Sequence, residues 1–413
     1  MSRKFYLLII MFLSSGMYVT SYTSEKWIDY LATTSLYIMA LYGYITWGKD
    51  RVNNKNLFYL PVFVIFALLL FSPFVAYFNF HQYYFDTILS ERPIFLWIYL
   101  IVFYKIRVKQ SEILSSLRTI SVLCLVYWLI SIFFPQTFVI VSDDFIHNLG
   151  NRIKETTRLG TYVPGFEFTT IYFLYTFQRF VDSNKNKHFY EATFWAFFVV
   201  LYHNRSTLVI VAIAYVYCLL KSKQIRSTYT ILIISILLIL ILPFLSRLFD
   251  SMWTNTQNQL SDDSYNRWKA IDVYLINRVY TPLNVLLGNC IPSSSGLYLK
   301  ELSTNNSIGA ICADIGLIAT FYYYGIFPIM LLLYWTLQSF KSYMPLFLKL
   351  YSLFLWLVPT IHCFMHPSNS NMVYIIYAYL VLYRLSSKSK INDRFVSYYC
   401  KLQYIRHYKE LFK

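Results

Sequence analysis

Three short polar segments each place an arginine beside an apolar helix, where a fixed positive charge can bind an anion. They are RLGTYVPGFEF at 158–168, HNRSTL at 203–208 and SDDSYNRWKAIDVYL at 261–275. An arginine guanidinium is planar and permanently charged, so its paired N–H groups suit phosphate oxygens. These segments are therefore the places where the sequence could support phosphate chemistry.

In the first segment, Arg158 and Glu167 flank a run of helix breakers at Gly160, Pro164 and Gly165. Charged side chains so close to hydrocarbon cost roughly 2–3 kcal/mol each if they are buried unpaired. They therefore require a cavity, each other or a charged ligand. An Arg158–Glu167 ion pair that caps the following helix is the alternative to a ligand site.

In the second segment, His203, Asn204 and Arg205 form a tight turn, and Ser206 can cap the helix that follows. Arg205 then lies at a helix N-terminus, where backbone N–H groups add positive potential and favour phosphate. The alternative is an arginine that snorkels to the lipid headgroups.

In the third segment, Trp268, Ile271, Tyr274 and Leu275 recur at helical spacing. This pattern predicts an amphipathic helix on the membrane surface, with Arg267 near its polar edge.

The next part of the chain is rich in small and polar residues. Gly288, Gly296 and several serines predict a flexible polar stretch over 282–296. From Ser307 onward the sequence predicts an apolar helix that contains Asp314.

These segments belong to a chain of 413 residues that is 57% hydrophobic and only 14% charged. Soluble domains carry about 25% charged residues, so apolar runs near 20 residues predict an all-α polytopic membrane protein. We predict about twelve transmembrane helices. They lie near 5–21, 27–47, 57–78, 90–106, 113–134, 166–181, 189–203, 206–220, 228–246, 317–340, 346–365 and 371–385.

The net charge of +16 reflects basic residues that lie mostly in alternate short loops. This is the pattern of membrane orientation, so we expect both termini in the cytoplasm and no nucleic-acid partner. Residues 1–390 then form a single transmembrane domain, with outer loops at about 135–165 and 247–316. Residues 391–413 form a basic amphipathic tail on the inner leaflet.

Basic residues in the outer loops run against this orientation bias, and an anionic ligand would explain them. A solvated loop surface with phospholipid headgroup contacts is the alternative. The chain contains no Walker, GxGxxG, HExxH or GxSxG motif, and its six cysteines lack metal-ligand spacing. We therefore predict neither a cofactor nor a metal.

The order and spacing of these segments resemble the O-antigen polymerase (Wzy-type) and O-antigen ligase superfamily of bacterial membrane enzymes. The resemblance lies in the Arg-x-Gly…Pro run at 158–164, the Asn-Arg-Ser turn at 204–206, an arginine in the large loop, the Leu-Gly-Asn at 287–289 and the stretch NNSIGAICADIGLI at 305–318. It covers roughly 155–335. The last stretch is similar to the family's His-Asn…Glu-x-Gly-Leu-Ile pattern, but Asn305 stands where ligases carry a histidine. Because asparagine cannot act as a base, this favours the polymerase branch.

The resemblance implies a glycosyltransferase that polymerises O-antigen, capsular or exopolysaccharide units on the outer face of the bacterial inner membrane. Its donor would be an oligosaccharide on undecaprenyl diphosphate, and its acceptor a sugar of a second lipid-linked unit. A chain-length regulator and a flippase are the further partners that this function suggests. An O-antigen ligase-type glycan transferase and a flippase or transporter of lipid-linked sugars are the alternatives.

The resemblance also assigns roles to residues. Arginines would bind the diphosphate, and removing one would cost on the order of 3 kcal/mol in the barrier. The candidates are Arg158, Arg205, Arg267 and Arg278. An acidic side chain would accept the proton of the acceptor hydroxyl. The candidates are Glu167, Asp314, Asp262 and Asp263. The further candidate site residues are His203, Asn305 and Asn306.

Overall fold

The computed structural model describes a helical protein. It covers residues 2–18, 26–48, 59–106, 108–134, 165–183, 185–201, 205–221, 266–278, 280–293, 296–308, 310 and 312–357. Within these ranges every regular element is a helix, in agreement with the all-α prediction. Several predictions lie outside the described residues. They concern the loop at 135–164, the helices at 228–246 and 371–385, and the tail at 391–413.

Among the described residues, those up to 221 contain most of the long helices. They are α1 (Arg3–Ser15), α2 (Lys26–Trp47), α3 (Tyr59–Phe80), α4 (Tyr84–Ser90), a 3-10 helix (Arg92–Ile98), α5 (Tyr99–Lys105), α6 (Gln110–Phe133), α7 (Phe166–Ser183), α8 (Asn186–Leu201) and α9 (Arg205–Lys221).

The described residues from 266 onward form shorter helices. They are α10 (Asn266–Ile271), a π-helical turn (Asp272–Ile276), α11 (Pro282–Leu287), α12 (Leu297–Ser307), a 3-10 helix (Cys312–Ile315), α13 (Leu317–Tyr324), α14 (Phe327–Ser339) and α15 (Leu346–Leu357).

Two described stretches, Val62–Phe80 and Gln110–Ser131, are long and apolar enough to cross a membrane. A third is added if the bent pair Tyr84–Ser90 and Ile94–Lys105 forms one span. These helices agree with the predicted spans at 57–78 and 113–134. The protein is thus a helical chain with segments that suit a bilayer.

Helix α7 is a central helix, since it packs against α6, α8, α9 and α15. Aromatic side chains fill these contacts. Tyr172 meets Trp195 edge-on with ring centroids 5.3 Å apart, and Phe166 meets Phe198 at 5.8 Å. Because α7 is covered on several sides, apolar residues lie on most of its faces.

Two predicted continuous spans are broken in the structure. At the start of the predicted span at 90–106, the helices Tyr84–Ser90 and Ile94–Lys105 meet at a 65° bend. The bend includes Pro93, which lacks an N–H group and disfavours α-helix just before it. The predicted span at 317–340 is interrupted at Gly325, which has φ of +70°. Pro328 then lies in the first turn of the next helix. Both interruptions face the long polar loop, and both become part of the site described below.

The described part of the long loop is ordered into short helices. The helix expected around Trp268 is present, but Ala270 and Tyr274 on it are fully buried against the protein. The prediction of a flexible stretch at 282–296 is wrong for 282–293. Asn289 and Cys290 are fully buried there because neighbouring helices supply partners for their backbone groups.

Candidate functional site

Arg278 places its guanidinium where the long polar loop meets the end of α3. Its Cζ lies 5.3 Å from the ring centroid of Phe80, the last residue of α3, and 4.9 Å from that of Tyr322. Its Nη1 lies 2.9 Å from Glu301 Oε1 on α12. The Arg278 side chain keeps 20% of its surface exposed. An anion can therefore approach a cation whose position is fixed by two rings.

The Arg278 guanidinium remains charged in this setting. Burial lowers its pKa, but surrounding groups, among them Glu301, outweigh burial and leave the pKa above its ordinary value. The ring faces of Phe80 and Tyr322 carry negative partial charge and stabilise the cation further. The site thus offers a permanent positive charge at any pH at which the protein works.

Four aromatic side chains, Phe80, Tyr274, Tyr298 and Tyr322, form what we call the aromatic wall behind Arg278. Phe80 and Tyr298 stack with centroids 3.9 Å apart and planes within 6° of each other. Tyr274 meets Tyr322 at 4.9 Å. All four rings are buried, three of them completely. The wall therefore serves to position Arg278, since its faces are not free to stack on a sugar.

The loop reaches this position through a close backbone crossing of α11 and α13. A Cβ on Gly288 would clash with the Tyr323 backbone, and one on Gly325 would clash with the Leu286 backbone. Both glycines have φ near +70°. Beside them, the N–H of Asn289 donates to the Tyr322 carbonyl at 2.9 Å. The crossing requires glycine at both positions, for conformation and for space.

Three asparagine side chains join the same crossing to α3. Asn79 and Asn284 donate to the Asn289 side-chain oxygen at 3.2 and 2.6 Å. Asn289 in turn donates to the carbonyl of Tyr322 at 3.1 Å. Since each amide has a partner, this network satisfies buried polar groups and ties the loop to a membrane-type helix.

A second polar group pins residues 289–293, which we call the inner segment. The Gln82 side chain donates to the Ile291 carbonyl at 3.1 Å and accepts from the Ser293 N–H at 2.8 Å. The fully buried Glu91 accepts from the Ile291 N–H at 3.4 Å. A carboxyl in such a place is costly when it lacks strong donors.

The inner segment enters deeply beside α3. The Cys290 thiol interacts with Ser72 as well as with Glu91. Ser72 lies eight residues before Phe80, the end of α3, so the segment reaches roughly 12 Å along that helix. Part of a loop that the sequence predicts to be flexible and polar therefore lies at the level of an apolar span.

The two cysteines near the site are free and buried. Burial raises the pKa of Cys312 to about 12. It also raises the pKa of Cys290 well above its usual value. Because the thiolate is the reactive form, neither side chain is suited to act as a nucleophile at neutral pH.

Asn305 is the second predicted site residue that the structure places near Arg278. It follows Glu301 by four residues on α12, so the two share a face of that helix. The Tyr274 hydroxyl lies close enough to interact with both Asn305 and Arg278. Asn306 is exposed. One arginine and one asparagine of the predicted set thus converge on the aromatic wall.

Glu167 lies elsewhere, in the first turn of α7. Its electrostatic neighbours are Cys124 on α6 and Tyr351 on α15. Arg278 instead contacts residues of α3, α12 and α13. The predicted acid and this arginine therefore belong to different sets of helices.

The remaining predicted residues are only partly described. Arg267 is partly buried in the first turn of α10. Ser206 lies inside α9 and not at its N-cap, because the helix begins at Arg205, which thus lies at a helix N-terminus as predicted. Asp314 lies in the 3-10 helix before α13, a break where the sequence predicts continuous helix. The side chains of Arg205 and Asp314 lie outside the description. So do the residues Arg158, His203, Asp262 and Asp263.

Sequence reasoning missed Glu301, Glu91 and Gln82. Glu91 carried a usable signal, since an ionisable residue at the edge of an apolar run is a functional candidate. Glu301 and Gln82 carried no such signal, because their partners are distant in the sequence. The partner of Glu301 lies 23 residues away, and the loop partners of Gln82 lie at least 209 residues away.

The fold and this site define a helical protein with bilayer-type segments and a fixed cation where a long polar loop packs against one of them. No protein-family model, curated protein or solved structure matches the chain.

Proposed function

We propose that the chain polymerises lipid-linked oligosaccharide units, with Arg278 binding the diphosphate of the donor. The observation that carries this proposal is the Arg278 guanidinium, which lies against Phe80 at the end of an apolar, bilayer-length helix. A diphosphate attached to a polyprenyl chain lies at that same boundary between hydrocarbon and water. The position therefore suits a lipid-borne anion better than a freely soluble one.

In the proposed reaction, the acceptor hydroxyl oxygen forms a bond to the anomeric carbon of the donor sugar. The bond from that carbon to the diphosphate oxygen breaks, and the electron pair leaves with the polyprenyl diphosphate. The hydroxyl proton passes to a base, for which Asp262, Asp263 and Asp314 remain the predicted candidates, since Glu167 lies among a different set of helices from Arg278. Arg278 stabilises the negative charge that grows on the leaving diphosphate.

The ion pair with Glu301 fits this role. Glu301 Oε1 occupies a hydrogen-bonding position on the guanidinium that a phosphate oxygen would take. The Glu301 side chain is 41% exposed, so it can turn into solvent when a stronger anion arrives. The twelve-helix architecture, the outer location of the loop and the cytoplasmic termini belong to the same proposal.

A flippase for lipid-linked sugars is a second candidate, because one observation favours it. Transporters place ionisable groups at breaks in discontinuous helices. Glu91 lies fully buried at the 65° bend between Tyr84–Ser90 and Ile94–Lys105. A buried carboxyl at a broken helix is therefore the observation that supports a transporter.

Deletion of the gene in the source bacterium separates the candidates. For a polymerase we expect surface glycan of a single repeat unit and lipid-linked single units on the outer face. A ligase would leave long chains on the lipid carrier. A flippase would leave single units facing the cytoplasm. Measurement of surface glycan length together with the sidedness of the lipid-linked pool decides among them, and unchanged glycan excludes all three.

A further inference from the structure

Three properties of Glu91 indicate a functional role. It is fully buried, it lies between two helices of a bent pair, and its carboxyl lies against the Cys290 thiol. Its Oε1 accepts from the Ile291 N–H at 3.4 Å. A carboxyl kept in such surroundings does more than fill space, since an apolar side chain would fill it at lower cost.

The residue before Ile291 has an unusual backbone conformation. Cys290 has φ of +60°, one of two described non-glycine residues with a positive φ. Such a conformation persists only where the surroundings hold it. The Cys290 N–H donates to the Tyr323 carbonyl at 2.7 Å on one side, and Glu91 takes the next N–H on the other.

The Cys290 carbonyl connects this strained turn to the aromatic wall. It accepts a hydrogen bond from the buried Tyr298 hydroxyl at 2.7 Å. The Tyr298 ring stacks on Phe80, and Phe80 faces the Arg278 guanidinium. A shift of the inner segment would therefore move the ring that supports the cation.

We propose that Glu91 is a positioning residue that holds the Cys290–Ile291 turn, and through Tyr298 and Phe80 keeps Arg278 in place. The link to catalysis rests on the proposed function of Arg278. The control of the inner segment by Glu91 does not depend on it.

The test compares Glu91→Gln with Glu91→Leu in the full-length protein in native membranes. Glutamine keeps an oxygen that can accept from the Ile291 N–H, whereas leucine does not. The first readout is alkylation of Cys290 by N-ethylmaleimide, followed by mass spectrometry of its peptide. Cys124, buried between α6 and α7, is the internal control because its Sγ contacts the Gly165 carbonyl, away from the inner segment.

We expect Glu91→Leu to raise the alkylation rate of Cys290 by about tenfold or more while Cys124 stays protected, since reactivity follows thiol exposure. Glu91→Gln should retain wild-type protection. The proposal is overturned if Cys290 stays protected in Glu91→Leu. It is also overturned if Cys124 is exposed together with Cys290, because Glu91 would then support the whole fold. A glutamine variant that behaves like leucine would also overturn it, because loss of the carboxyl charge beside the Cys290 thiol would then explain the reactivity without the hydrogen bond.

The second readout is surface glycan length in the same strains. We expect short glycan with Glu91→Leu and normal length with Glu91→Gln. If gene deletion leaves glycan length unchanged, the proposed function fails while the Cys290 result still decides the role of Glu91. Normal glycan from Glu91→Leu with an exposed Cys290 would remove the link to catalysis.

Discussion

Arg278 Nη1 and Glu301 Oε1 are 2.9 Å apart. This ion pair links Arg278 to helix α12 beside Phe80, the last residue of α3. Because both side chains are partly exposed, the pair contributes little to folding, about 0.2–1 kcal/mol. In the proposed function its importance lies in what it blocks, since the carboxylate and a phosphate oxygen would compete for the same N–H group.

Replacement of Arg278 tests the proposed site directly. We expect Arg278→Gln to lower the polymerisation rate by about 10²–10³-fold, because a donor to the leaving diphosphate is lost. Arg278→Lys should be intermediate, since the charge remains but the planar fork is gone. Glycan length and the rate of repeat-unit transfer are measured. Arg179→Gln is the matched control, because Arg179 also pairs with a glutamate, at 3.3 Å from Glu191. Normal-length polymer from Arg278→Gln would remove this residue from the site.

Loss of Glu301 should strengthen anion binding. With the competing carboxylate gone, we expect Glu301→Gln to bind inorganic pyrophosphate about two- to fivefold more tightly, as judged from the small worth of such a pair. Isothermal titration calorimetry on purified protein in nanodiscs measures this. Glu191→Gln serves as control and should bind like wild type. Weaker binding by Glu301→Gln would mean that Glu301 orients Arg278 for the ligand instead of competing with it.

The backbone crossing predicts that alanine destabilises the protein more at Gly288 and Gly325 than at Gly296. Gly288→Ala and Gly325→Ala add both a strained conformation and a clash, whereas Gly296→Ala, at φ of +115°, has nothing within 4 Å of the new Cβ. We expect the first two to lose about 1–3 kcal/mol more stability than Gly296→Ala, the usual cost of overpacking. Thermal unfolding in detergent compares the three variants. Equal losses would show that the crossing tolerates a methyl group.

The roles of the Tyr298 hydroxyl and of the Tyr298 ring can be tested separately. Tyr298→Phe keeps the stack on Phe80 but leaves the Cys290 carbonyl without this donor, at a cost of about 1–3 kcal/mol. Tyr6→Phe is the matched control, because the buried Tyr6 hydroxyl also donates to a backbone carbonyl, that of Met39, at 2.9 Å. We expect similar losses of stability from both, but shortened glycan only from Tyr298→Phe. Shortened glycan from both variants would point to a general effect of stability.

Local sequence determined much of the helical framework. Apolar runs predicted α3 and α6 to within a few residues, and the spacing around Trp268 predicted α10. The resemblance to the O-antigen polymerase and ligase superfamily makes Arg278 one of four candidate diphosphate-binding residues. The helices follow from interactions within a few turns of helix, which composition and periodicity report directly.

The tertiary structure decided what surrounds that arginine. Glu91 meets Ile291 across 200 residues, and Asn79 meets Asn289 across 210. The burial of the inner segment and the close packing of Gly288 against the Tyr323 backbone have the same origin. Such contacts depend on how whole helices pack, and no local pattern encodes them. The sequence therefore determined which segments are helical and where charge interrupts them, whereas packing between distant helices decided which charge is held against the aromatic wall.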